Sequence, residues 1–315
     1  MSDYKFIKID DSSYSKIQEL YLRSFDLKAT EEEVKIKYDT SAFGYKNLGY
    51  LAVHNDGDLA AYYGAFPMRM HIQDKDYLVA QSGDTMTAPE HRKKGLFTIL
   101  AKACYKLAEE SGFACIFGFP NANSYPGFAK NLDWKFYGTM KNFTITNNVL
   151  FPLCELSAKY KNLHDFYSNY CKRKLKKYKI ELKKENVDVF NDENAKAYIK
   201  KDVDFFKYKL NNKNIHLIKI NNFTLLIKPE PHLLIGTVGK FEENMLDEFL
   251  KTLKCLAHKL GCKKTIITLS ENHWLYAYLK TKMAFQDSLP IGYYEIDKSI
   301  PYADISYTGA DYDTF

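Results

Sequence analysis

The chain lacks the cysteine pattern that marks a disulfide framework or a zinc site. Its six cysteines, at positions 104, 115, 154, 171, 255 and 262, include no Cys-x-x-Cys pair, so reduced thiols and no bound metal are expected. Cys104, Cys115, Cys255 and Cys262 fall in stretches with helix or strand patterning, where a cysteine behaves as a small buried hydrophobe. Long apolar runs are missing too. None approaches the length that spans a bilayer, and Met1-Ser2-Asp3-Tyr4-Lys5 does not open like a secretion signal. That pattern predicts a cytoplasmic protein with no membrane partner. Excess charge of one sign is small. The formal net charge is +6 over 315 residues, which suits an anionic cosubstrate without calling for nucleic acid.

What is plentiful is apolar and aromatic side chain, 46% and 15% of residues, enough for a folded chain whose length predicts two domains. The most ordered stretch runs from Tyr77 to Trp134. Tyr77 to Thr87 is rich in strand formers, and Ala88-Pro89 stops it. His91-Arg92-Lys93-Lys94-Gly95 follows, then apolar residues at Leu96, Leu100, Ala103 and Leu107, a helical spacing up to Glu110. Cys115 to Phe119 reads as a buried strand, and Asn121-Ala122-Asn123-Ser124-Tyr125-Pro126-Gly127-Phe128 opens another helix. A cationic glycine turn at the mouth of a helix gathers unpaired backbone N–H groups, positive side chains and the positive end of the helix dipole, a setting for an anion and most often for phosphate.

In that order these residues resemble the GNAT family of acyl-CoA N-acyltransferases. Arg92-Lys93-Lys94-Gly95-Leu96-Phe97 is similar to the family's Arg/Gln-x-x-Gly-x-Gly/Ala pyrophosphate loop, with Phe97 at the last, usually small, position. Asn121-x-x-Ser124 followed by an aromatic resembles the family's Asn-x-x-Ala-x-x-x-Tyr segment. The resemblance implies acetyl-CoA as cosubstrate, no metal, and a small-molecule amine as acceptor. It places the pyrophosphate on Arg92, Lys93, Lys94, Gly95 and Leu96, and the pantetheine along Met86 and Thr87 with Asn121 and Ser124 beside it. Met86 N–H would be the oxyanion donor. Phe128 stands where the family has its proton-donating tyrosine, so Tyr125 is the candidate acid. Its segment is similar to that of the enhanced intracellular survival type of aminoglycoside acetyltransferases, which are also multi-GNAT chains.

The remaining chain fits a tandem arrangement. Lys5 to Ile9 reads as a first strand, Tyr14 to Ser24 as a helix, Thr30 with Glu33 as a capping box, and Asp56-Gly57 as a hairpin turn. The expected fold class is α/β (α+β), with two GNAT-like domains, each a mixed, mostly antiparallel twisted sheet flanked by helices. Residues 1–146 would carry the acyl-CoA site and 147–185 would be a basic helical linker around Cys171 to Lys179, with too few apolar residues for membrane docking. Residues 186–300 would form a degenerate second domain. Its counterpart turn, Gly239-Lys240-Phe241-Glu242-Glu243, carries two carboxylates that repel a pyrophosphate.

Residues 301–315 would be a tail. Two proton acceptors are open: Asp84 on the cofactor strand, and the carboxylate of Phe315, because in the survival-type enzymes the chain terminus enters the first domain's site. Asp311 and Asp313 would hold a cationic acceptor. The leading reading is N-acetylation of an amino sugar or aminoglycoside-like molecule. The alternatives are a FemABX-like aminoacyl transferase and a non-catalytic acyl-CoA sensor; homo-oligomerisation is left open.

Overall fold

A computed structural model describes residues 3–192 and 195–315. The chain divides into two compact units, Met1–Gly138 with Leu289–Ala303, and Thr139–Ser288 with Asp304–Phe315.

The first unit begins with strand β1 (Tyr4–Lys8), then helices α1 (Tyr14–Phe25) and α2 (Glu31–Tyr38). The Thr30–Glu33 capping box forms as the sequence predicts, the Thr30 hydroxyl accepting from Glu33 N–H while the Glu33 carboxylate accepts from Thr30 N–H. Strands β2 (Leu48–His54), β3 (Leu59–Ile72) and β4 (Lys75–Thr87) form an antiparallel meander. Its Asp56-Gly57 turn forms, with Gly57 at φ 94. Helix α3 (Leu96–Glu110) crosses over to β5 (Cys115–Gly118), which pairs parallel to β4, and helix α4 (Tyr125–Asn131) follows. Leu96, Leu100, Cys104 and Ala108, all buried, lay one face of α3 on the sheet.

Strand β6 (Lys135–Thr146) carries the chain into the second unit. Helices α5 (Leu153–Lys159), α6 (His164–Leu175) and the short α7 (Lys184–Val187) come next, then β7 (Ala197–Ile199) and α8 (Val203–Leu210). The meander β8 (His216–Ile220), β9 (Phe223–Pro229) and β10 (Leu233–Val238) precedes α9 (Leu246–Leu260), β11 (Lys264–Leu269) parallel to β10, and α10 (Trp274–Leu279). Strand β12 (Phe285–Glu295) returns to the first unit, and β13 (Ile305–Ser306) pairs with β7.

Each unit thus repeats one layout: an antiparallel meander, a long helix, a parallel strand and a short helix. The closing strands are exchanged. Gly292–Glu295 of β12 pairs antiparallel with β5, whereas Lys141–Thr146 of β6 pairs with β11. The sequence reading assigned Phe136 to Thr146 to the first domain and Ile291 to Ile296 to the second. Strand patterning reports that a strand exists, not which sheet edge takes it. The basic linker is also corrected. Tyr167, Cys171 and Leu175 of α6 lie in the second unit's core, and the Tyr167 hydroxyl donates to Leu260 C=O at 2.9 Å. Cys104, Cys115 and Cys262 are buried as expected, Cys154 and Cys171 are buried as well, and Cys255, expected to be buried, is exposed on α9.

Candidate active site

The site is built where β4 and β5 part. Their parallel pairing covers only Ala80 with Ile116 and Gln81 with Phe117, after which β5 ends at Gly118 while β4 continues to Thr87 along β3. A bulge falls between the Gly64–Gly83 and Tyr62–Met86 pairs, with Asp84 in the left-handed region at φ 53. Past the bulge, Ala88 N–H donates to Ala60 C=O at 2.9 Å. Strand alternation then turns the amide of Met86 towards β3 as well and the amide of Thr87 towards the open side. The Thr87 carbonyl accordingly accepts from Arg92 Nε at 3.4 Å. The amide on the open side is therefore that of Thr87 and not that of Met86, where the oxyanion donor was expected.

The cationic turn sits at the mouth of α3. Lys93 (φ 63) and Gly95 (φ 75) are both left-handed, a geometry that cups successive amides around one point. Among the described residues no acceptor takes the N–H of Lys93, Lys94, Gly95, Leu96, Phe97 or Thr98, and the first bond of the helix runs from Ile99 N–H to Gly95 C=O at 3.2 Å. Arg92, Lys93 and Lys94 are exposed around these amides. Phe97, bulky where a small residue was expected, turns inwards. Its ring meets Phe128 edge-on at 5.2 Å, and a Cβ on Gly127 would lie 2.8 Å from it. The missing side chain at Gly127 therefore makes room for Phe97.

The turn is fixed from beneath by residues the sequence reading passed over. His91, buried, bonds Tyr4 OH through Nδ1 at 3.0 Å and Asp58 Oδ2 through Nε2 at 2.8 Å. Arg23 adds a two-pronged contact to Asp58 at 2.9 and 3.0 Å. The Arg23 guanidinium, followed by His91, holds the Asp58 carboxyl well below the usual carboxylate range. An acid, arginine and histidine spread over residues 23, 58 and 91 leave no local spacing from which to infer such a network.

Asp84 is 9% exposed and already engaged. Lys37 Nζ lies 2.7 Å from Oδ2, the Tyr38 hydroxyl donates to it at 3.0 Å, and the Tyr21 hydroxyl donates to it as well. Burial, then the charge of Asp84, pushes the Tyr21 phenol up and keeps it neutral. On the other side of the splay, Asn121 Oδ1 accepts from the N–H of Asn123 at 2.9 Å and of Ser124 at 3.1 Å, which fixes the turn into α4. Tyr125 follows at 40% exposure with its ring against Phe136 at 4.6 Å, whereas Phe128 is 4% exposed in the core. The first unit thus holds Asp84, Met86, Thr87, Arg92 to Leu96, Asn121, Ser124 and Tyr125.

Phe315, Asp311 and Asp313 belong to the second unit. The ring of Phe315 covers Gly236 of β10, where a Cβ would lie 2.3 Å from it. Asp311, expected to meet a substrate cation, is fully buried and meets a cation of the chain itself: Lys201 Nζ donates to its carboxylate, and Thr308 N–H does so at 2.7 Å. Asp313 is half-buried. In the second unit's counterpart of the basic turn, Gly239 N–H donates to Thr224 C=O and Lys240 N–H to Val189 C=O, both at 2.9 Å. Phe241 there turns into the core against Phe223, Phe249 and Trp274. Among the described residues no group of three or more His, Cys, Asp or Glu could hold a metal ion.

Residues 5–137 match the family model described as Acetyltransferase (GNAT) domain. A comparison with curated proteins found no match. Among solved structures the chain is similar to a GCN5-related N-acetyltransferase from Kribbella flavida, at 12% identity and TM-score 0.58, covering 94% of this chain and 72% of that one. It is likewise similar to N-myristoyltransferase from Saccharomyces cerevisiae with bound myristoyl-CoA, at 11% identity and TM-score 0.59, covering 93% and 80%. A GCN5-related N-acetyltransferase from Anabaena variabilis aligns at 11% identity and TM-score 0.55, covering 93% and 73%. Those likenesses concern the fold, and they extend it across both units, while the family model rests on the residues that carry the splay and the cationic turn. Residues 5–137, which hold the splay and the cationic turn, thus match a GNAT acetyltransferase domain, and the likeness in fold spans both units.

Proposed function

We propose that the protein transfers an acetyl group from acetyl-CoA to the amine of a small molecule, with amino sugars and aminoglycoside-like molecules as the acceptor class. The observation that carries this reading is the junction of the β4/β5 splay with the unpaired amides of Lys93 to Thr98. Pyrophosphate fits the cupped amides, with Arg92, Lys93 and Lys94 supplying charge. The open side of β4 offers the Thr87 amide to the pantetheine arm, as a strand edge receives an added strand.

In this reading the Thr87 N–H faces the thioester oxygen as negative charge develops on it. Tyr125 gives its phenolic proton to the departing sulfur, a moderate leaving group with a pKa of about 8.5. Asp84, clasped by Lys37, Tyr21 and Tyr38, holds the bulge that turns Thr87 outwards. The second unit keeps the GNAT layout, in the manner of the tandem survival-type enzymes, without a coenzyme site. Its counterpart amides are occupied, and an aromatic fills the turn.

Calorimetry with acetyl-CoA tests the donor site. The wild type should bind, and Arg92→Glu with Lys94→Glu should weaken binding by about a hundred-fold, since two reversals replace attraction by repulsion. Unchanged affinity would remove the site from this turn. Thiol release over a panel of amines then separates an enzyme from a sensor, because a sensor binds without releasing thiol.

A further inference from the structure

The second unit carries a surface that the acyltransferase reading does not use. Leu150 and Phe151, just ahead of α5, are 92% and 77% exposed, and Phe166 on α6 is 62% exposed. Leu156, Tyr160 and Leu163 between them are also exposed. Large apolar side chains left this bare in one short segment mark a contact surface. Their backbone is held in place. Leu153 N–H donates to Phe151 C=O at 2.9 Å, and Gly261 lies so close that a Cβ would sit 3.1 Å from that carbonyl oxygen.

Helix α6 continues into charge. Leu163, Phe166, Tyr170, Arg173 and Lys177 succeed one another at alternating spacings of three and four residues, which is one stripe of a helix. The neighbouring stripe of Tyr167, Cys171 and Leu175 is buried, and Tyr170 at the boundary is partly buried against the same core, its hydroxyl donating to Lys259 C=O at 2.8 Å. Lys172, Arg173, Lys174, Lys176 and Lys177 have no carboxylate partner among the described residues, although the nearby Asp165 is paired with Lys213 at 2.9 Å. The sequence reading weighed the apolar content of the basic segment alone and expected no membrane partner. Of the bare side chains Phe166 lies on that helix, while Leu150, Phe151, Leu156, Tyr160 and Leu163 stand upstream of it, on α5 and the flanking turns.

We infer that α5 and α6 with their flanking turns form a docking surface for an anionic lipid bilayer, with Phe151 and Phe166 entering the interface and the cations of α6 meeting lipid headgroups. Charge complementarity selects this occupant. A second copy docking through the same patch about a two-fold axis would set like-charged α6 helices against each other. A bilayer rich in phosphatidylglycerol instead offers opposite charge to Arg173, Lys176 and Lys177 and an apolar layer to the aromatics. The docking is peripheral: among the described residues no helix is long and apolar enough to cross a membrane.

Co-sedimentation of the full chain with vesicles tests this. The protein should pellet with phosphatidylglycerol vesicles, stay in solution with phosphatidylcholine vesicles, and be released as salt rises to about 0.5 M. Phe151→Glu with Phe166→Glu, and separately Arg173→Glu with Lys176→Glu and Lys177→Glu, should each lower the partition about a hundred-fold or more. Both variants should keep wild-type thermal unfolding, since the altered side chains are exposed. No pelleting with phosphatidylglycerol, equal pelleting with both lipids, or pelleting unchanged in the variants would overturn the proposal. So would a dimer in analytical ultracentrifugation that Phe151→Glu dissociates, because the patch would then be covered by a second copy.

Discussion

Tyr125 and Phe128 begin the same short helix and end in opposite environments. Phe128 is locked between Phe97 and Trp134, while the Tyr125 ring leans on Phe136 at 4.6 Å and remains 40% exposed. Tyr125→Phe should therefore lower kcat by roughly ten- to a thousand-fold with KM nearly constant, the mark of a proton given only in the transition state. A change confined to KM would make Tyr125 a binding residue. Lys201 and Asp311 show the same dependence on environment from the other side. Burial pulls the Lys201 ammonium down against the upward pull of Asp311, and the pair survives because each charge satisfies the other. Lys201→Met alone should lower unfolding stability by about 3–5 kcal/mol, and adding Asp311→Leu should return part of it. Urea melts of the single and double variants measure both effects. Asp311 looked like a ligand for an external cation because its partner stands far upstream in the chain; a carboxylate's partner across the fold leaves no trace in its neighbours.

At the scale of elements, the turn before α3 was legible because its meaning is local. Basic residues, a glycine and a helix start are contiguous, and the left-handed Gly95 at φ 75 with Lys93 at φ 63 is what cups their amides. Gly95→Ala places a Cβ on a backbone that disfavours it by roughly 1–2 kcal/mol, so acetyl-CoA affinity should fall while the global fold persists. Calorimetry beside circular dichroism separates the two effects. Asp58→Asn removes the charge that Arg23 and His91 share, and it should likewise loosen coenzyme binding without touching a coenzyme-facing residue. Helix α6 was misread because its cations gather at its C-terminal end and run on to Lys179. The spacing of Tyr167, Cys171 and Leu175 already described a buried stripe, and the charges describe only the side that faces water. Register was not legible. Nothing in Thr85-Met86-Thr87 announces the bulge at Asp84 that decides which amide faces outwards.

The whole molecule should respond to acid through its second unit. Burial, then Lys172 and Lys179, pushes the His216 imidazole down to about 4, and burial followed by Lys201 brings His273 down to about 3, both from 6.5. The folded state holds these rings neutral, so it binds fewer protons than the unfolded chain. Their contribution to stability is whole above pH 6.5 and is lost as pH falls towards 4. The thermal midpoint should drop across that window, and His216→Gln with His273→Gln should flatten the dependence. The layout of both units was legible, since meander, helix and parallel strand each leave a periodic trace, but the exchange of closing strands was not. A fragment of residues 1–138 leaves β5 without the antiparallel neighbour Gly292–Glu295, and it should fail to bind acetyl-CoA unless a peptide of residues 289–303 is supplied.

That exchange also orders events during synthesis. When the ribosome has released Gly138, the first sheet still waits for a strand whose residues follow nearly the entire second unit. At about 5–20 residues per second the wait is on the order of ten seconds. Throughout it, the nascent chain displays a bare strand edge of the kind that invites mispairing and chaperone capture. The site that would hold the coenzyme is thus encoded early and finished late, and a chain that stalls within its second half has no complete first sheet to release.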